Sequence, residues 1–170
     1  MNKTVRVALV ALLCVGAAAC SKKQEVKPQA TTTAPEVTQT QTPDSNGKYM
    51  PSDLDTDACL RQRVVYFDFD KSDIKPEFQQ IMACHAKYMQ DRPSSHIRLE
   101  GNTDERGTRE YNLGLGERRG NAVSSALQAS GGSASQLEVI SYGKEKPVCR
   151  EHNEDCWSKN RRVEIVYTAQ

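Results

Sequence analysis

The chain has 170 residues, of which 37% are hydrophobic and 26% charged, and it carries a formal charge of +1. That length accommodates one domain plus tails. Neutralising phosphates requires a basic surplus, so a chain this near neutral is a poor nucleic-acid binder.

Lys3 and Arg6 precede an apolar run from Val7 to Val15, and small residues from Gly16 to Ala19 lead into Cys20. The pattern predicts a cleavable secretory signal over residues 1–19, too short to span a membrane as a helix. Small residues followed by cysteine resemble a lipobox, in which the sulfur is acylated and Cys20 becomes the new amino terminus. Ala17 stands where leucine is usual, and the alternative is an ordinary cleavage after Ala17-Ala18-Ala19 that releases a soluble protein. Ser21, rather than an aspartate, implies the outer membrane, held by more than one acyl chain. Losing Lys3 and Arg6 from 23 basic residues against 22 acidic ones leaves a formal charge of −1. Residues 20–50 form the lipidated start and a tether. From Ser21 to about Met50 the chain is rich in Thr, Gln, Pro and Lys, without an aromatic residue before Tyr49, which predicts disorder. About 30 such residues reach at most ~100 Å and average ~30 Å as a coil.

The folded domain is expected over residues 51–170. Ser52-Asp53 reads as the capped start of a short helix to about Leu60. Val64 to Phe69 reads as a strand. Pro76 opens a helix to about Asp91, with Phe78, Ile81, Met82, Ala86 and Met89 at helical spacing. His96 to Glu100 reads as a strand, Arg109 to Ala129 as a helix ending at Gly131-Gly132. Leu137 to Tyr142 and Arg161 to Thr168 read as strands, joined by a loop. Two crossover helices imply right-handed parallel connections. The expected fold is a two-layer α/β sandwich with helices on one face of a mixed sheet.

Cys14 leaves with the signal, and Cys20 would be acylated. Cys59, Cys84, Cys149 and Cys156 are an even number in an oxidising compartment. Proximity favours Cys149–Cys156 and Cys59–Cys84. The alternative is a zinc site from Cys149, His152 and Cys156, which lacks a fourth nearby ligand.

The segment from Glu100 to Val123 carries the most chemistry. Leu115, Arg119, Ala122, Val123 and Ala126 share one helix stripe, with Asn112 at its amino-terminal end. An arginine on a buried stripe needs a partner, and Asp104, in the preceding turn, is the natural one. Such a pair suits a ligand carrying both an ammonium and a carboxylate.

Asn102-Thr103-Asp104, Gly107, Asn112, Leu115-Gly116 and Arg119-Gly120 resemble the peptidoglycan-binding motif of OmpA-like domains. Asp104-Glu-Arg-Gly-Thr108, Glu110-Tyr-Asn112, Tyr142-Gly-Lys-Glu-Lys-Pro147 and Ser158-Lys-Asn-Arg-Arg162 look more specifically like the peptidoglycan-associated lipoproteins of the Tol system. The resemblance covers roughly Val64 to Tyr167. Asn102 replaces the usual histidine, and Gly116 and Gly120 replace serine and alanine. The resemblance implies the OmpA-like β-α-β-α-β-β order and a site for the diaminopimelate of the peptidoglycan stem peptide. Asp104 would accept from its ammonium, and Arg119 would fork onto its carboxylate. Asn112, Leu115, Phe69, Asp70, Arg106 and Thr108 would complete the site. It further implies TolB and other Tol proteins as partners competing for an overlapping surface, a lipid anchor facing the domain into the periplasm, and a part in envelope integrity and constriction at division. Neither a cofactor nor a metal is expected.

Other patterns are weaker. Asp68-x-Asp70-x-Ser72 begins like a calcium loop, but Asp73 and Gln79 replace the required glycine and glutamate. Gly114, Gly116 and Gly120 miss the dinucleotide spacing and read as helix–sheet packing. His85, His96 and His152 are scattered without a nucleophile, and His85 reads as a helix-surface residue, so no catalysis is expected. Arg161-Arg162 reads as a solvated edge. The rivals are a cell-wall hydrolase and a docking module without wall contact.

Overall fold

Alternating β-branched and apolar residues build the sheet, and two amphipathic helices cover one of its faces. The computed structural model describes residues 47–170. The signal segment, Cys20 and the tether through residue 46 lie outside the described residues. The elements are α1 (Asp53–Thr56), β1 (Val64–Tyr66), α2 (Gln79–Asp91), β2 (His96–Asn102), α3 (Arg109–Ala129), β3 (Leu137–Gly143), α4 (Glu154–Asn160) and β4 (Arg162–Ala169). The strand order is β1-β4-β2-β3. β4 runs antiparallel to both neighbours, and β2 and β3 are parallel.

The two-residue period puts Ile97 and Leu99 of β2 on the same face as Val163 and Ile165 of β4. These four pack with Ile81, Met82, Ala86 and Met89 of α2 and Val123 and Leu127 of α3. Apart from Ala86, each such side chain contributes about 1.5–3 kcal/mol by burial. α3 approaches the sheet closely because it carries glycine. A Cβ on Gly116 would sit 2.3 Å from Ser141 Oγ, and one on Gly120 2.5 Å from Val139 Cγ1. Gly114 meets only the Arg118 side chain, so the packing role holds for two of the three glycines.

Several local expectations change. The first helix stops at Thr56, and Ser52 offers no side-chain cap. Tyr49 is already packed: its N–H donates to Asp91 Oδ2 at 2.9 Å, and Arg92 Nε donates to its carbonyl at 2.9 Å. Strand β1 ends at Tyr66, with Phe67 N–H extending its register to the Arg161 carbonyl at 2.9 Å. The expected loop before the last strand contains α4. Asn153 caps it by accepting from Cys156 N–H, and Glu154 and Asp155 occupy its first turn, where the helix dipole favours acids. Disulfides join Cys59 to Cys84 and Cys149 to Cys156, which takes both sulfurs from the zinc alternative.

His85 is fully buried rather than on a helix surface. One side of α2 packs on the sheet, while Cys84 and Tyr88 pack with Tyr49, Leu54 and Leu60. His85 is enclosed with them. Its Nε2 donates to the Gln62 carbonyl at 3.0 Å, and its Nδ1 accepts from the Tyr167 hydroxyl at 2.7 Å. Among the described residues, no helix is long and apolar enough to cross a membrane.

Candidate functional site: a cleft of paired charges

The cleft forms where the loop after β1, the turn after β2 and the start of α3 converge. Asp70, in the first loop, has φ of 57°, a left-handed conformation that aspartate tolerates better than most residues. Its carboxylate accepts from the Tyr111 hydroxyl. The turn from Asp104 to Thr108 is held from two sides. Asn112 Nδ2 donates to the carbonyls of Arg106 and Thr108 at 2.8 and 3.0 Å. Lys144 Nζ donates to those of Gly107 and Glu105 at 2.7 and 3.1 Å. Thr108 then caps α3 by accepting from Tyr111 N–H at 3.2 Å.

A cavity of about 170 Å³ results, lined by Phe69, Asp70, Thr103, Asp104, Arg106, Gly107, Tyr111, Asn112, Leu115 and Arg119. Seven of the eight residues singled out from the sequence as ligand-binding thus meet at one cavity. Thr108 serves as the helix cap beside it. Thr103, Gly107 and Tyr111 were missed as site residues. Tyr111 had a signal, since it sits one residue before Asn112 on the first turn of the helix.

The direct Asp104–Arg119 pair expected from the sequence is not formed. Arg119 is fully buried. Its Nε donates to Lys71 O at 2.8 Å, Nη1 to Asn102 O at 3.0 Å and Nη2 to Asp68 O at 3.0 Å. Three backbone carbonyls therefore satisfy the guanidinium, which ties the β1 loop to the end of β2. Two of its five N–H groups take no part in these bonds. Burial, then the like charge of Arg161, lowers its pKa to about 10, so it stays charged at neutral pH.

Asp104 takes other partners. Arg106 donates to it from Nε at 3.1 Å, from Nη2 at 2.7 Å and from its backbone N–H at 3.1 Å. Arg161 Nη1 adds a contact at 3.4 Å. Burial opposes ionisation of Asp104 and is the largest single influence. The Arg106 hydrogen bonds and charge, together with Arg161, outweigh it and hold the carboxyl below its usual range.

Arg161 and Arg162 are buried, which corrects the solvated-edge reading. Arg161 also donates to Phe67 O at 3.0 Å and Glu154 Oε1 at 2.5 Å. Arg162 donates to Glu164 Oε1 at 2.7 Å. A second cavity of about 270 Å³ adjoins Trp157 and includes Glu105, Lys144 and Asn160, whose polar atoms are already used within the protein.

The OmpA family model matches residues 66–161, a span that contains every cleft residue. The peptidoglycan-associated lipoprotein of Pseudomonas aeruginosa is 47% identical over 122 residues, covering 71% of this chain and 72% of that protein. That of Haemophilus influenzae is 40% identical over 167 residues, covering 98% of this chain and all of that protein. The crystal structure of the peptidoglycan-associated lipoprotein from Burkholderia pseudomallei aligns with TM-score 0.66 and 46% identity, covering 68% of this chain and 98% of that one. The C-terminal domain of Helicobacter pylori MotB shares the fold at TM-score 0.58 and 26% identity, covering 63% of this chain and 84% of that one. The chain therefore belongs to the OmpA family and, within it, to the peptidoglycan-associated lipoproteins.

Proposed function

We propose that this protein is an outer-membrane lipoprotein, acylated at Cys20, that holds peptidoglycan non-covalently through the diaminopimelate of the stem peptide. The observation that carries this reading is one small cavity lined by the carboxylates of Asp70 and Asp104 and the guanidiniums of Arg106 and Arg119. A free diaminopimelate end carries an ammonium and a carboxylate on one carbon. The carboxylates accept from the former, and the remaining arginine N–H groups donate to the latter. The wall-associated name borne by the relatives supports the same assignment.

The surface around the cavity also supports a protein partner. Phe69 and Tyr111 are 57% and 47% exposed at its rim, and exposed aromatic residues commonly anchor interfaces. A Tol-system partner such as TolB would then compete with peptidoglycan, and the tether would let the anchored domain reach either during envelope constriction.

Isothermal titration with a diaminopimelate-containing stem peptide tests the site. Asp104→Asn should weaken binding roughly 30-fold or more, as expected for losing one partner of a desolvated charge pair. Asp70→Asn, nearer the rim, checks the result in a variant with less effect on folding. Parental affinity in both, with unfolding temperatures unchanged, would show that the ligand binds elsewhere. Co-sedimentation with sacculi, competed by free diaminopimelate, tests wall binding, and release of soluble muropeptides would favour the hydrolase rival. Fatty-acid labelling that persists in Cys20→Ala would exclude the anchor.

A further inference from the structure

The chain has a single tryptophan, and it contacts the cleft without lining it. The Arg106 guanidinium lies between two rings, its Cζ 4.1 Å from the Phe69 centroid and 4.1 Å from that of Trp157. Phe69 comes from the loop after β1 and Trp157 from α4, so the two halves of this clamp are far apart in sequence. The Nε and Nη2 edge of the guanidinium meets Asp104 at 3.1 and 2.7 Å. Its Nη1 donors make no hydrogen bond among the described residues.

Trp157 is itself fixed. Its Nε1 donates to Glu105 Oε1 at 2.8 Å, an oxygen that His152 Nδ1 also meets at 2.6 Å. Its backbone carbonyl accepts from Arg161 N–H at 3.1 Å, and the neighbouring Cys156, in the first turn of α4, is tied by its disulfide to Cys149 in the preceding loop. The indole is thus held at its ring nitrogen and along its backbone.

We propose that Trp157 is a positioning residue for the cleft. With Phe69 it clamps the Arg106 guanidinium edge-on to Asp104, and it leaves the Nη1 donors for an anionic group of the ligand. A free arginine side chain loses much rotamer freedom when it binds. A guanidinium already stacked between two rings has lost that freedom before the ligand arrives, which favours binding. This inference rests on reading the cleft as the site of a ligand bearing a carboxylate and an ammonium.

A double-mutant cycle with the intact protein and the diaminopimelate stem peptide tests it. Trp157→Ala should weaken binding about 2- to 10-fold, and Trp157→Phe should restore most of the loss. In the Arg106→Ala background, Trp157→Ala should cost no more than about two-fold. Parental affinity in Trp157→Ala, or an equal loss with and without Arg106, would overturn the positioning role. A ligand-free readout separates this from failure of the cleft reading. The Arg106 Nε–H proton should exchange with water faster in Trp157→Ala than in the parent, and the slow rate should return in Trp157→Phe. An unchanged exchange rate overturns the inference. A parent that binds no peptide while retaining this exchange pattern overturns the cleft reading and leaves Trp157 as the residue that positions Arg106.

Discussion

Two regions of this domain bury polar groups, and they do so in opposite ways. Around α2, Tyr49, Leu54, Leu60, Cys84 and Tyr88 form an apolar cluster, and His85, buried beside it, is kept neutral by that burial. Around the cleft, Asp104, Arg119 and Arg161 are buried with their charges intact. The first arrangement avoids the cost of burying charge, while the second offsets that cost with many short hydrogen bonds. Each region also contains one disulfide. The comparison suggests that the α2 region serves stability and the cleft region serves geometry, and variants can separate the two.

The largest expected effect on stability comes from Cys59–Cys84, whose cysteines are 25 positions apart. In the chain-entropy model a loop of that length is worth about 3.5 kcal/mol. Cys59→Ala/Cys84→Ala should therefore lower the stability measured by urea unfolding by about that amount, while folded protein keeps its affinity for the stem peptide. A variant that is as stable as the parent but binds poorly would reverse the assignment of roles.

His85 gives a pH-dependent version of the same test. Burial, with Arg63 acting in the same direction, lowers its pKa to about 4, and the Gln62 carbonyl and Asp57 offset this only in part. The unfolded chain takes up a proton near pH 6.5, whereas the folded protein does not until about pH 4. Stability from this group is therefore complete above pH 6.5 and is lost as pH falls toward 4, by about 3 kcal/mol in all. His85→Gln keeps hydrogen-bonding groups without titrating, so it should flatten the stability profile in that window. An equally steep profile in the variant would place the acid sensitivity elsewhere.

The sequence showed the apolar framework more clearly than the charged one. α3 matches its expected bounds, because its period is long and glycines follow its end. Strand order had no local signal: nothing within Arg162–Ala169 indicates that it inserts between β1 and β2. α4 has only seven residues, too few for a period to show, although Asn153 followed by two acids was a usable cap signal. The Arg119 error had a different origin. A buried cation was assumed to need a carboxylate, yet backbone carbonyls also accept from a guanidinium, and three of them do so from Arg119. Asp104 then paired with Arg106, two positions along the same turn. His85 was misplaced because α2 is buried on more of its circumference than one stripe predicts, being covered by the segment before β1 as well as by the sheet.

The smallest expected change in stability, and the one that discriminates best, concerns Cys149–Cys156. These cysteines are 7 positions apart, which in the same entropy model is worth about 2.5 kcal/mol. The loop they close includes Asn153, whose side chain and carbonyl start α4, and it ends at Cys156, directly before Trp157, which stacks on Arg106. Opening it should loosen α4 without disturbing the core of α2, α3 and the sheet. Cys149→Ala/Cys156→Ala should therefore lose less stability than the Cys59/Cys84 variant yet bind the stem peptide several-fold more weakly, the reverse of the pattern expected there. The unique tryptophan reports the change directly, since an indole released from Glu105 and Arg106 becomes more exposed to water and its emission should move to longer wavelength. If the emission and the affinity both stay at parental values while stability falls, the Cys149–Cys156 bond is a staple like the other one, and the division between a stabilising region and a geometry-setting region does not hold.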